Sequence, residues 1–334
     1  MKKLLSLLFI VVLTAPLYAH ANHKEAFDTH HLEEQTPTFE AWLEAFKREA
    51  IVKGIRRETV ERALAHVKQI KRVVKLDRNQ PEFKLTFNQY LNNVAPPFRV
   101  NKGKKLLKQH YKLLDEIEHR YGVQKRFIVA LWGMETDFGR LTGGFNVLDA
   151  LATLAYDSRR SKFFRSQLLK ALRIIDAGNI EPEKMTGSWA GAMGQTQFMP
   201  STFLAYAVDF NGNGKIDIWN ETGDALASGA NYLSKVGWDA KQTWGREVHL
   251  PADFDKSMAN LDVKKSLAEW QALGVRRANG KNLPKVDIQG SVIILDDGAG
   301  PAYMVYDNFR AIMDWNKSEN FATSVGILSD RIGY

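Results

Sequence analysis

One acid on an apolar helical stripe constrains this chain more than any other feature. Residues 121–140 read YGVQKRFIVALWGMETDFGR. Phe127, Ile128, Leu131, Trp132 and Glu135 fall on one side of a helix, at the spacings of a buried face. Tyr121–Gly122 mark its start after a turn, and Phe138–Gly139 its end, with glycine as the expected C-cap. A carboxylate on such a stripe is costly to desolvate unless it is paired or keeps its proton. An acid protonated near neutral pH is what general-acid catalysis needs, and glycosidic bonds are commonly cut by one. The plainer alternative pairs Glu135 with a structural cation such as Arg140. Asp137 falls about 200° round the helix from Glu135 and so should face elsewhere.

A second stretch, GSWAGAMGQTQFMPSTF at 187–203, follows neither helical nor strand periodicity. Gly187, Gly191 and Gly194 suit close backbone approach. Ser188, Gln195 and Gln197 offer neutral donors and acceptors suited to hydroxyl and acetamido groups; a tight glycine-rich helix contact is the bland alternative. Downstream, DFNGNGKIDIWN at 209–220 places Asp209, Asn211 and Asn213 at the first, third and fifth positions of an EF-hand-type loop. Gly214 takes the sharp turn, and Lys215 offers its carbonyl next. The last loop position is Asn220 rather than Glu, and carboxylates are few. Weak binding of calcium or another hard cation therefore competes with a plain turn built from Asn and Gly.

The runs ALWGMETDFGR, LDALATLAYDSRR, GSWAGAMGQTQFMPSTF, DFNGNGKIDIWN, ANYLSKVGW and NFRAIMDWNKS, in that order, resemble the B-type lytic transglycosylases of bacterial cell walls. The resemblance covers about residues 38–330. It implies a mainly α-helical α+β fold: a helical part at about 38–120, a lysozyme-like catalytic core at about 121–240, a β subdomain at about 245–310 and a closing helix at about 319–330. It also implies cleavage of the β-1,4 bond between N-acetylmuramic acid and N-acetylglucosamine. One Glu would protonate the glycosidic oxygen, then act as base toward the sugar's own C6 hydroxyl, leaving 1,6-anhydromuramic acid ends. Glu135 matches that acid/base. Ser188, Gln197 and Asn316 match polar residues around the reacting sugars, Met193 and Met199 apolar walls, and Tyr232 a cleft aromatic. For Asn316 and Tyr232 structural packing is an equal alternative. Trp315 and Phe321 stand where relatives often have Tyr, which keeps ring stacking but removes two hydroxyls. Asp224 matches the last ligand of the metal loop 209–224, giving a structural Ca2+ and no cofactor for the chemistry. The partners implied are peptidoglycan glycan strands and proteins of wall synthesis or remodelling. The rival functions are a hydrolytic muramidase, which would need a second carboxylate in the cleft, and a non-catalytic wall-binding or scaffold protein.

The remaining sequence sets the context. Lys2 and Lys3, an apolar run from Leu4 to Leu17 and Ala19-His20-Ala21 read as a secretory signal peptide over 1–21, hence a periplasmic protein with no membrane span after cleavage. There is no cysteine, so neither a disulfide nor a lipid-modified Cys is available. A formal charge of +8 suits anionic envelope polymers, and nucleic acid is not expected as a partner. Residues 22–37, with His23, His30 and His31, read as a polar spacer rather than a metal site. Two helices are expected over 38–76, one long helix from about Val100 to Tyr121, and others at about 147–156, 161–176 and 224–238. In relatives the PEF segment before Phe87 and Tyr90 lies near the cleft; core packing of those aromatics is the alternative. SVIIL and AYMVY, separated by Gly298 and Gly300, read as a hairpin.

Overall fold

The computed structural model describes residues 37–79 and 85–333. The expected signal peptide, nearly all of the spacer and the Pro81–Phe83 segment lie outside the described residues. The chain begins with α1 (Phe39–Val52), α2 (Arg57–Leu64), α3 (Lys71–Arg78), α4 (Phe87–Val94), α5 (Pro97–Gln109), α6 (Tyr111–Tyr121) and α7 (Lys125–Thr136). Then come β1 (Phe145–Asn146), α8 (Val147–Tyr156), α9 (Ser161–Asp176), β2 (Thr186–Gly187), α10 (Pro200–Tyr206) and α11 (Thr222–Lys235). The remainder holds β3 (Gly245–His249), β4 (Lys265–Ser266), α12 (Leu267–Ala272), β5 (Arg276–Arg277), β6 (Gln289–Ile294), the kinked turn α13 (Leu295–Gly298), β7 (Ala302–Val305), α14 (Asp307–Trp315) and α15 (Glu319–Gly333). The fold is mainly helical with a small sheet, the lysozyme-like α+β class the motifs imply.

Local chemistry accounts for many of the helix ends. The Thr38 hydroxyl accepts from the Ala41 amide at 3.2 Å and starts α1, and Asn146 accepts from Leu148 and Asp149 to start α8. Thr86 and Gln89 form a reciprocal capping box on α4, satisfying two amides that a helix start leaves without partners. Three expectations need correction. The 38–76 region holds three helices rather than two, because α3 is a separate helix of about two turns with buried Val73 and Asp77. The long helix over 100–121 is broken at His110 (φ −99°, ψ 20°), which caps α5 and opens α6. Residues 307–315 do not merely lead into the closing helix but form α14 themselves.

The cores do not follow chain order. One is built from α1–α3, α8–α10 and the 185–198 loop, around Phe46, Leu151, Phe164 and Met193. A second is built from α4–α7, α11, α14 and α15, around Phe127, Leu226, Phe309 and Phe321. Tyr232 and Trp315 are half-buried against both. The sheet runs β4-β6-β7-β3-β5, with antiparallel neighbours. The expected hairpin is β6–β7, with Ile293 opposite Tyr303 and Val292 opposite Met304. Alternation sends Ile293, Tyr303 and Val305 into the second core and Val248, Val292 and Met304 into a small third one with Trp270.

The closing helix α15 is seated through Gly326. A Cβ there would stand 2.1 Å from the fully buried Trp244 indole. Gly326→Ala gains about 1 kcal/mol of helix propensity but overpacks the core. A net destabilisation of about 1–3 kcal/mol is expected, seen as a lower urea midpoint at unchanged slope.

Candidate active site

Helix α7 runs through the second core and is buried on nearly every face, from Phe127 to Met134. Its end departs from the expected glycine cap. The helix stops at Thr136, and Asp137, Phe138 and Gly139 follow with φ of 49°, 60° and 78°. Two consecutive non-glycine residues in the left-handed region are strained, and their surroundings hold them there. The Asp137 and Phe138 amides return to the carbonyls of Gly133 and Trp132, both at 3.1 Å. The Phe138 ring packs edge-on against Trp132, and the Asp137 carboxylate receives Arg140 at 2.6 Å and Lys102 at 3.4 Å. Asp137 is thus committed to a cationic cluster, and Arg140 pairs with it rather than with Glu135.

The other side of the site comes from the glycine-rich stretch, which folds as narrow loops. Met193 and Phe198 exchange both backbone hydrogen bonds, at 2.8 and 3.0 Å, around a turn in which Gly194 and Gln197 take positive φ. The Thr136 hydroxyl donates to the Gln195 carbonyl at 2.7 Å, tying this loop to the end of α7. The Gln197 amide nitrogen donates to the carbonyls of Gly194 (2.9 Å) and Thr142 (3.1 Å), which fixes the side chain at the loop edge. Ser188 is buried, and its hydroxyl accepts from the Ala190 and Ala192 amides.

Glu135, Gln197, Met199, Tyr232 and Asn316 line one cleft of about 170 Å3, together with Phe198 and Trp315. Ser188 and Met193 do not line it; the hydroxyl of one closes a turn, and the other lies wholly in the first core. Phe321 is wholly buried as well, so the ring stacking open to it by sequence is not available. Tyr90 is buried in the second core, close enough that the charge of Glu135, after burial itself, pushes its hydroxyl pKa up. Tyr232 donates to the Asp314 carbonyl at 2.7 Å and meets Trp315 edge-on at 5.1 Å.

The Glu135 side chain is half-buried with the cleft before it. The Trp315 indole N–H donates to its Oε1 at 2.8 Å. Desolvation pushes the carboxyl up to about 8, with that hydrogen bond opposing. A group of this kind holds its proton at neutral pH yet is basic enough to take one back.

Sequence reasoning missed Phe163, Ser201, Thr202 and Asp314 in the cleft lining. Ser201 and Thr202 follow Pro200, a helix-start signal, and lie half-buried at the first turn of α10. Asp314 is a second carboxylate at the cleft, where none was expected; its side chain is exposed and paired with Lys317 at 2.5 Å.

The expected metal loop folds as a chain of side-chain-to-amide turns. Asp209 accepts from the amides of Gly212, Asn213 and Gly214, Asn211 from Asn213, and Asn213 from Lys215. Asp224 is wholly buried at the start of α11 and accepts from the Phe210 and Asp217 amides at 2.8 and 2.9 Å. It therefore pins the two ends of the loop together. Among the described residues no group of three or more His, Cys, Asp or Glu side chains is placed to hold a metal. Any cation here would rely on amide and carbonyl oxygens beside a few carboxylates.

Residues 38–330 match the family described as transglycosylase SLT domain. The chain is 31% identical over 295 residues to membrane-bound lytic murein transglycosylase B of Escherichia coli (strain K12), which spans 84% of this chain and 79% of that protein. Its fold is similar to the crystal structure of SltB3 from Pseudomonas aeruginosa in complex with NAG-anhNAM-pentapeptide, at 48% identity and a TM-score of 0.85, covering 88% of this chain and 79% of that one. It is also similar to the E. coli lytic transglycosylase Slt35 in complex with calcium, at 30% identity and a TM-score of 0.75, covering 87% and 92%.

The raised carboxyl has a thermodynamic signature. Its folded value of about 8 lies above the ordinary 4.5. The associated stability is thus fully present below the ordinary value and is lost as pH rises through the folded one. Glu135→Gln is neutral throughout and escapes that loss. Relative to wild type the variant should gain stability between acid and alkaline pH, by up to about 5 kcal/mol, measured by urea unfolding across the range.

Proposed function

The chain belongs to the transglycosylase SLT family, and on that premise we propose that Glu135 is the single acid/base of the reaction. The protein is a peptidoglycan lytic transglycosylase, and residues 38–330 are its catalytic region. The observation that carries the assignment is the position of Glu135, half-buried at the end of α7 and lining the cleft, where desolvation favours the protonated carboxyl. Glu135 gives that proton to the glycosidic oxygen as the bond from the muramic acid C1 breaks. The resulting oxocarbenium-like centre is met by the substrate's own acetamido group. The Glu135 carboxylate then takes the C6 hydroxyl proton while O6 bonds to C1. This closes the 1,6-anhydro ring and returns the carboxyl to its starting state with no water consumed. Gln197, Met199, Tyr232 and Asn316 form the sugar-binding walls; Ser188 and Met193 support them from behind.

A hydrolytic reading draws on Asp314, which supplies a second carboxylate at the cleft. Its solvent-exposed pairing with Lys317 makes it a poor nucleophile or base at a buried reaction centre, so the lytic reading is preferred. Periplasmic location rests on the N-terminal leader sequence, and no helix among the described residues is long and apolar enough to cross a membrane. Glycan strands are the substrate, and wall-synthesis or remodelling proteins are the class of partner such an enzyme would meet.

The 209–224 loop is read as a structural calcium site. The oxygens of Asp209, Asn211 and Asn213, the Lys215 carbonyl and Asp224 suit a hard cation, and a related structure is a complex with calcium. The ion would stiffen the loop and take no part in the chemistry.

Two measurements test these assignments. Glu135→Gln should fold and lose several orders of magnitude in release of anhydromuropeptides from sacculi, since acid–base catalysis contributes about 10²–10⁴ at each step. Asp137→Asn and Asp314→Asn should keep most activity. Mass spectrometry of the products should show anhydro ends; ends heavier by one water would establish hydrolysis instead. After chelation, added calcium should raise the melting temperature of the wild type and leave that of Asp209→Ala unchanged.

A further inference from the structure

We propose that Trp315 is a positioning residue that assigns the transferable proton of Glu135 to one oxygen, Oε2, through the whole catalytic cycle. The proposal rests on Glu135 being the acid/base. An indole nitrogen donates and never accepts, and this one donates to Oε1 at 2.8 Å. A carboxyl oxygen that receives an N–H acts as the carbonyl end, because a protonated oxygen is the poorer acceptor. The proton therefore resides on Oε2 when Glu135 is an acid, and Oε2 is the oxygen that takes the C6 proton when it is a base. A tyrosine hydroxyl could either donate or accept and would leave that choice open.

The indole is held in place for this task. Its ring lies 5.3 Å from Phe198 and 5.1 Å from Tyr232, the latter edge-on at 75°. Gly229 lies against a third side, where even a Cβ would make only ordinary contact with the indole edge at 3.5 Å. Tyr232 also donates to the carbonyl of Asp314, the preceding residue, and the Asn316 amide closes α14 behind it. Among the described residues, the other titratable groups about the site are Tyr90 from α4, Tyr232 from α11 and Asp314 from α14. Among the described residues, the indole hydrogen bond is what opposes the upward push of burial on Glu135. The N–H thus also keeps the carboxylate accessible for the second half of the reaction.

The test deletes the donor while keeping the ring. Trp315→Phe removes the N–H, and replacement of Trp315 by the sulfur isostere benzothienylalanine removes it at unchanged shape. In both, the Glu135 titration should move up by about one pH unit. It would be read from the alkaline limb of the kcat/KM profile on sacculus fragments and from carbon-13 NMR of the labelled side chain. The fall, about 10–100-fold, should be in kcat more than in KM, and the isostere should match Trp315→Phe. An unchanged pH profile and kcat in the folded isostere variant would overturn the proposal. Glu135→Gln separates the two levels. If it is active, the acid/base assignment fails. If it is inactive while the isostere behaves as wild type, only the role of Trp315 fails.

Discussion

The structure turns on a contest at one carboxyl group. Burial at the end of α7 drives Glu135 toward its neutral form, and among the described residues the Trp315 indole N–H pulls the other way. Neither influence alone would serve the proposed role, in which the group gives up a proton and then recovers it. Full burial would hold the proton too tightly, and a cationic partner would strip it off. Among the described residues, Arg140 and Lys102 near the helix end pair with another carboxylate, Asp137. The strained left-handed residues after Thr136 turn the chain there within three positions.

The same contest explains why the cleft lies at the meeting of two cores. Glu135 and Trp315 come from elements of the second core, whereas Phe198, Met199 and the Gln197 turn belong to loops seated on the first. Tyr232 and Trp315 touch both. The site is half-buried because the two cores meet around it, with neither enclosing it alone.

Much of this was legible in the sequence, and the gaps have physical reasons. The stripe leading to Glu135 is a local pattern of period 3.6, and it located both the central helix and the acid. The hairpin of β6 and β7 was legible from alternation for the same reason. The break at His110 was not, since apolar residues recur through α5 and α6 alike and one residue's dihedral angles divide them. In the 187–199 loop the motif marked the right stretch but not which side chains face the cleft. Reversals at Gly194 and Gln197 decide that, turning Gln197 and Met199 outward and leaving Ser188 and Met193 behind. Trp315 and Phe321 are six positions apart in sequence, yet one lies over the acid and the other is sealed in the core. The role proposed for the indole N–H depends on a contact 180 residues distant in sequence, beyond the reach of any local pattern.

The join between the 209–220 loop and the end of α7 carries a consequence for how this chain can vary. The Ile218 carbonyl receives the Gln195 amide at 2.9 Å, the Gln195 carbonyl receives the Thr136 hydroxyl at 2.7 Å, and Thr136 follows Glu135 directly. Asp224 clamps both ends of the same loop. Adding or deleting one residue in the loop would shift Ile218 and drag this linkage with it. Surface loops usually absorb changes of length freely; this one is geared to the proposed acid, so its length is constrained from a distance by a residue it does not touch.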